Sequence, residues 1–398
     1  MHTEETAFVR QPATDLDPVV SESKERKVSF ERFLDAVITF SLSATVFGVP
    51  LFFTSLSLQG ISFDKSIYFY LWVLLAAVAW AIKGALRGEL IIRRTPLDWP
   101  LLALLAAATI SMIFAADRWH SFWGSFGDPS HGLMMLLALA VFYIIAGSHL
   151  NEKRLTKVFV ALLCAGALVT IWTFLGLLSM PFLPAAWAAY SPLSLIGSVK
   201  GLALFLAMMV PLFISGTFSA ARSLEEDELP VWKRALLRPA LALLLVLSLL
   251  AIVDLYMLFS YTPWLALVAG LVFFLIYILA HIVKPAQVLV WLPMLAVVMV
   301  AAFMMIGRPV CAPFSPLALC RLPAEIAPNP SLSWEIAREG VKENLFFGAG
   351  PAMYGEVFAK NHPPTDGNAL FTVLFYQGEG ALFEALATIG PVGTFLAM

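Results

Sequence analysis

Apolar residues in this chain do not recur at the period of a surface helix or a strand. They fill unbroken runs of about 17 to 25 residues, the length that crosses a hydrocarbon core. Such runs predict spans at roughly 33–54, 67–83, 97–115, 132–149, 157–179, 201–217, 239–259, 264–283, 286–306 and 381–398. The expected fold class is therefore all-α: a polytopic integral membrane protein of about ten transmembrane helices, because barrel strands would have to alternate every second residue and these runs do not. One long interval breaks the pattern. From Arg308 to about Glu379, prolines, glycines and ionisable groups crowd together. Within it, 332–347 reads as an amphipathic helix, with Trp334, Ile336, Ala337, Val341 and Leu345 on one face and Glu335, Arg338, Glu339 and Lys342 on the other. Gly348, Gly350 and Pro351 then break the helix and shape the loop. The organisation expected is a disordered polar tail over 1–30, a bundle of about nine helices over 31–306, a large external loop over 307–380 and the start of a further span over 381–398. That last run ends at Met398 without a polar flank, as expected of a chain cut within a helix.

Composition removes the soluble alternative. With 60% hydrophobic and 13% charged residues and a mean hydropathy of +0.85, too little polar side chain is present to cover a soluble globule of this length. A net charge of −2 names no partner, and no nucleic acid is expected. The distribution of charge is more informative. Placing the N-terminus in the cytoplasm puts 17 lysines and arginines on the inner side and 8 on the outer, so the large loop is expected outside. Cys164 falls within an apolar run and reads as a small packing residue. Cys311 and Cys320 share the outer loop, where they form either a disulfide or two free thiols; their C-x8-C spacing is not a zinc pattern.

Three places could carry chemistry. Asp254 and Glu384 lie near the outer ends of their runs, either as functional groups or as interfacial carboxylates reaching water. The outer stretch 117–132, DRWHSFWGSFGDPSHG, holds Arg118, His120, Asp128 and His131, but without metal-binding spacing, and its aromatics suit an interfacial belt. Lys200, after a small-residue stretch at the mouth of the sixth run, could hold a phosphate or anchor the helix at the interface.

In order, these features resemble the O-antigen ligase and O-antigen polymerase superfamily of bacterial envelope glycosyltransferases, over about residues 30–398. The likeness rests on TPLDWPLLALLAAATISMIFAADRWHSFWGSFGDPSHGL, on SLIGSVKGLALFLAMMVP, and on the W-x-x-A, then G-x-G signature in SLSWEIAREGVKENLFFGAGPAMYGEVF. The resemblance implies a multi-pass protein of the bacterial inner membrane with a periplasmic loop. It would transfer a glycan, without metal or other cofactor, from an undecaprenyl-diphosphate-linked donor to an envelope glycan, lipid or protein acceptor. Family arginines are replaced here by Pro330, Ser331, Leu332 and Ser333 before the loop tryptophan and by Tyr261, Thr262 and Pro263 after the seventh run. That leaves Arg338, Lys200 and Arg118 as the expected diphosphate ligands, with Asp254 and Trp334 as further substrate-binding residues and His362 as the general base. A multi-span transporter or flippase, and a non-catalytic protein of the same fold, are the competing readings; the absence of an internal repeat weighs against the transporter.

Overall fold

The computed structural model describes residues 18–54, 60–125, 128–177, 195–224, 230–258, 261–281, 328–362 and 374–397. The described chain is helical. Helices α1 (Pro18–Leu51) and α2 (Ile61–Arg87) form an antiparallel pair; α3 (Asp98–Phe114), the short α4 (Arg118–Trp123), α5 (Leu133–His149) and α6 (Glu152–Leu177) follow. Then come α7 (Val199–Leu224), α8 (Val231–Met257) and α9 (Tyr261–His281), the loop helices α10 (Pro330–Glu343) and α11 (Tyr354–Asn361), and finally α12 (Ala381–Thr388) and α13 (Gly390–Ala397).

Five of these are long and apolar enough to cross a membrane: Arg26–Leu51, Ile61–Arg87, Glu152–Leu177, Val199–Leu224 and Val231–Met257. The protein is a multi-pass membrane protein on helix length and hydropathy. Of the ten spans expected, five meet this length and hydropathy among the described residues. Two of the remaining runs form the shorter apolar helices Asp98–Phe114 and Leu133–His149, and a third contributes Pro263–Phe274. The run at 286–306 lies outside the described residues. The run from 381 is two short helices rather than one, because the chain turns at Gly390, whose φ is +69°.

Packing explains the arrangement. Around α7, Leu206, Met209, Phe213 and Ile214 are fully or almost fully buried against Leu247, Ala251 and Leu255 of α8 and Leu267 and Leu271 of α9. A second core joins Ile38 and Leu42 of α1 to Ala76 of α2 and Ile145 of α5. Hydroxyls inside the bundle return to their own helices, as where Thr173 and Thr217 donate to the carbonyls of Val169 and Phe213 at 2.8 and 2.9 Å. Outward faces carry large apolar side chains such as Leu71, Leu74 and Phe273, suited to contact with lipid. Cys164 lies on such an exposed face of α6, so it is not the packing residue expected.

The loop helix is shifted in phase from the sequence reading. It spans 330–343, and its buried stripe is Ser333, Ile336, Ala337 and Gly340, while Trp334 and Leu345 are exposed. Small residues decide the phase, because the helix approaches α11 and α12 closely: a Cβ at Gly340 would sit 2.8 Å from Val357.

Candidate functional site

At the end of the bundle where α5 begins, two aspartates order the connection from α3. Asp117 accepts from the backbone N–H of His120 at 3.0 Å and pairs with its Nδ1 at 2.6 Å, opening α4. Asp128 accepts from the N–H of Ser130 at 3.1 Å and opens a single 3-10 turn, Pro129–His131. This turn presents His131 to α12. His131 Nδ1 lies 2.5 Å from Glu384 Oε1, and its Nε2 lies 3.9 Å from Asp128 Oδ2. Gln377 Nε2 donates to the same Asp128 oxygen at 2.6 Å.

The segment leading into α12 carries a second pair. Lys200 Nζ, at the start of α7, meets Glu379 Oε1 at 2.7 Å. The N–H of Glu379 donates to Ser333 Oγ of α10 at 2.9 Å. Tyr354, fully buried in α11, lies within the same group. Burial raises its hydroxyl above the ordinary tyrosine value, Ser333 opposes that, and the Glu384 charge adds to it. For His131, burial acts to lower the imidazole, but the hydrogen bond to Glu384, the Glu384 charge and the Asp128 charge together raise it above its ordinary value.

The G-x-G loop locks this segment from below. Ala349 and Gly350 donate their N–H groups to the carbonyls of Ala387 and Thr388 at 3.0 and 2.8 Å, and Ser111 Oγ of α3 donates to Thr388 at 2.9 Å. Gly348 and Gly350 have φ of +65° and +116°, and Pro351 beside them is buried. The glycines therefore serve backbone packing that fixes the C-terminal end of α12, one helix turn beyond Glu384.

The residues expected from the sequence are placed as follows. Lys200 joins the cluster through Glu379. Arg338 is exposed on α10 and pairs with its neighbour Glu339 at 3.2 Å. Trp334 is half exposed, with its ring 5.8 Å from that of Phe383, and Arg118 is exposed at the start of α4. His362 follows α11 with its ring 5.7 Å from that of Phe358 and its Nδ1 enclosed. Asp254 is fully buried in α8, so it does not reach water as an interfacial carboxylate; neither oxygen has a hydrogen-bond partner among the described residues. Cys311 and Cys320 lie outside the described residues. Among the described residues, no group of three or more His, Cys, Asp and Glu side chains is arranged to hold a metal ion.

The pairing of His131 with Glu384 was not readable in the chain, nor were the parts of Ser333, Gln377, Glu379 and Tyr354. One signal was available: Asp128-Pro129-Ser130-His131 is a capped turn with proline at its first position, which holds a histidine in a defined direction. Chemically, an imidazole donating Nδ1–H to a carboxylate keeps a lone pair on Nε2 to accept a proton, and the nearby lysine can meet a phosphate oxygen.

Over 127 residues the chain is 31% identical to a polyprenol-phosphate-mannose-dependent alpha-(1-2)-phosphatidylinositol mannoside mannosyltransferase of Mycolicibacterium smegmatis; the match takes in 31% of this chain and 25% of that protein. The chain thus spans about a quarter of the length of the curated relative it matches. No family model matches it, and no solved structure does.

Proposed function

We propose that this chain is a membrane glycosyltransferase that takes a sugar or glycan from a polyprenyl-phosphate-linked donor and passes it to an acceptor hydroxyl of the cell envelope. Support comes from the multi-pass helical architecture, from the partial likeness to a protein that uses a polyprenol-phosphate-linked sugar, and above all from the His131–Glu384 pair, which shares one short segment with Lys200–Glu379. The finer reading is an O-antigen ligase or polymerase type of enzyme at the outer face of a bacterial inner membrane, with an undecaprenyl diphosphate donor.

In this reading His131, held by Glu384, takes the proton from the acceptor hydroxyl. The acceptor oxygen bonds to the anomeric carbon, the bond from that carbon to the phosphate oxygen breaks, and the polyprenyl phosphate or diphosphate leaves with the electron pair. Lys200 contacts the leaving phosphate, with Arg338 and Arg118 supplying further positive charge and Trp334 and Asp254 shaping the sites for sugar and lipid. His362 is the competing base.

The test is glycan transfer by the purified chain in liposomes, run in parallel with monophosphate- and diphosphate-linked donors. His131→Ala and Glu384→Gln are expected to lower transfer by about 10²- to 10⁴-fold, the usual range for a lost general base. Lys200→Gln is expected to weaken donor binding by about 1.5–3 kcal/mol, as for a charged hydrogen bond. Full activity in His131→Ala together with its loss in His362→Ala would move the base to His362. A preference for the monophosphate donor would reject the ligase or polymerase reading while keeping lipid-linked transfer.

A further inference from the structure

The opposite end of the bundle holds a different site. There the N-terminal part of α1, the C-terminal end of α2 and the α5–α6 corner meet around Asp35. Its carboxylate pairs with Lys83, and Arg154 reaches its other oxygen at 2.7 Å. Arg154 also donates to the carbonyl of His149 at 3.1 Å, and His149 Nε2 lies 3.0 Å from Thr39 Oγ1. Arg87 pairs with Glu31 at 3.0 Å. Two cavities, of about 290 and 460 Å³, open beside this network and share Asp35 and Arg154.

Their linings are strongly unbalanced. Lys83, Arg87, Arg93 and Arg154 line the first, and Arg32, Arg154 and Lys157 the second, while the carboxylates lining the pair are Asp35 and Glu89. Asp35 is already shared between two cations. Arg32, Arg93 and Lys157 form no ion pair with a carboxylate among the described residues. Cations that served only to retain this end in the cytoplasm could be spread over exposed loops. Here they converge, and Lys83 and Arg154 keep only 12% and 27% of their side-chain surface accessible. Asp35 neutralises part of that half-buried pair, whereas Arg32, Arg93 and Lys157 line the cavities as exposed side chains open to an incoming anion.

The second cavity also has a direction. Arg32, Ala36, Phe40 and Ser43 follow one another along a single face of α1, over about 16 Å at the usual helical rise. Cations stand at one end, and the exposed ring of Phe40 lies towards the middle of the span. We propose that the joined cavities hold the phosphate headgroup of an anionic membrane lipid, with its acyl chain laid along the Ala36–Phe40 face of α1. A free phosphate would use only the cations; a lipid uses the cations and the apolar face together. On the orientation read from the charge bias, this lipid belongs to the cytoplasmic leaflet, so the site is separate from the outer cluster and does not depend on glycosyl transfer.

The test is native mass spectrometry of the delipidated full chain titrated with phosphatidylglycerol, phosphatidylcholine or inorganic phosphate. The double variant Arg32→Gln, Lys157→Gln leaves the Asp35 network intact, and Lys342→Gln, Lys360→Gln removes the same charge from the other end. The wild-type chain is expected to prefer phosphatidylglycerol. The Arg32, Lys157 variant should lose about 25-fold in affinity, at about fivefold for each charge near a lipid surface, while the Lys342, Lys360 variant binds as wild type. Equal affinity for phosphatidylcholine, an unchanged Arg32, Lys157 variant, or inorganic phosphate bound as tightly as the lipid would each overturn the proposal.

Discussion

The G-x-G loop gives a quantitative test of what holds the His131–Glu384 cluster in place. At Gly348 the backbone has φ of +65°, and an added Cβ would lie 2.5 Å from the carbonyl oxygen of Thr388 and 2.6 Å from the nitrogen of Gly390. Both are backbone atoms, so neither can swing aside. Gly348→Ala therefore carries about 1–2 kcal/mol for a side chain in left-handed backbone. It also forces apart the strap formed by Ala349 to Ala387 and Gly350 to Thr388, two hydrogen bonds worth about 1 kcal/mol each. The expected cost is about 3–4 kcal/mol. Gly88 at the end of α2 supplies the control, because it has φ of +76° with nothing within 4 Å of its would-be Cβ. Gly88→Ala should cost only the conformational part, about 1–2 kcal/mol. Hydrogen exchange in nanodiscs, read at the amides of 349–350 and 381–388, should show loss of protection in Gly348→Ala alone, with a larger fall in melting temperature. Equal destabilisation by the two substitutions, or unchanged exchange at 349–350, would refute the packing argument.

Three further outcomes are expected. Because Glu384 and Asp128 hold His131 above the ordinary histidine value, their attraction stabilises the fold fully below about pH 6.5 and is lost as pH rises through the raised native value. Glu384→Gln should lower the His131 titration midpoint measured by NMR; an unmoved midpoint would exclude the pairing. Asp254 is buried without a partner for either oxygen, so Asp254→Leu should stabilise the chain by about 1–3 kcal/mol in a detergent melting experiment, and a clear loss would mean that the carboxyl is satisfied by a group not described. Cysteines introduced in place of Lys360 and Arg93 should react with an impermeant thiol reagent from opposite sides of the membrane, Lys360 from outside; both reacting from one side would overturn the orientation.

Sequence alone determined the class of this protein. Long apolar runs and scarce charge admit no stable state in water, and the bias of lysine and arginine set an expected orientation, because both are properties of composition summed over many residues. The chain also marked the loop helix and the glycines after it, since helical period and breaking residues act locally. It did not decide which face of that helix is buried. The close approach of α10 to α11 and α12 selects Ser333, Ala337 and Gly340 over Trp334, because small side chains let backbones come together. The cluster around His131 and Lys200 was equally out of reach. His131 and Glu384, or Lys200 and Glu379, are distant in the chain, and no local rule states that a capped turn before α5 will face the segment entering α12. At the other end, the sequence counted cations, but only the packing of α1 against α2 and α6 brought them around shared cavities. Charge is additive along a chain and can be counted there, whereas a site is a set of distances between elements, fixed only when the apolar faces of those elements have chosen their partners.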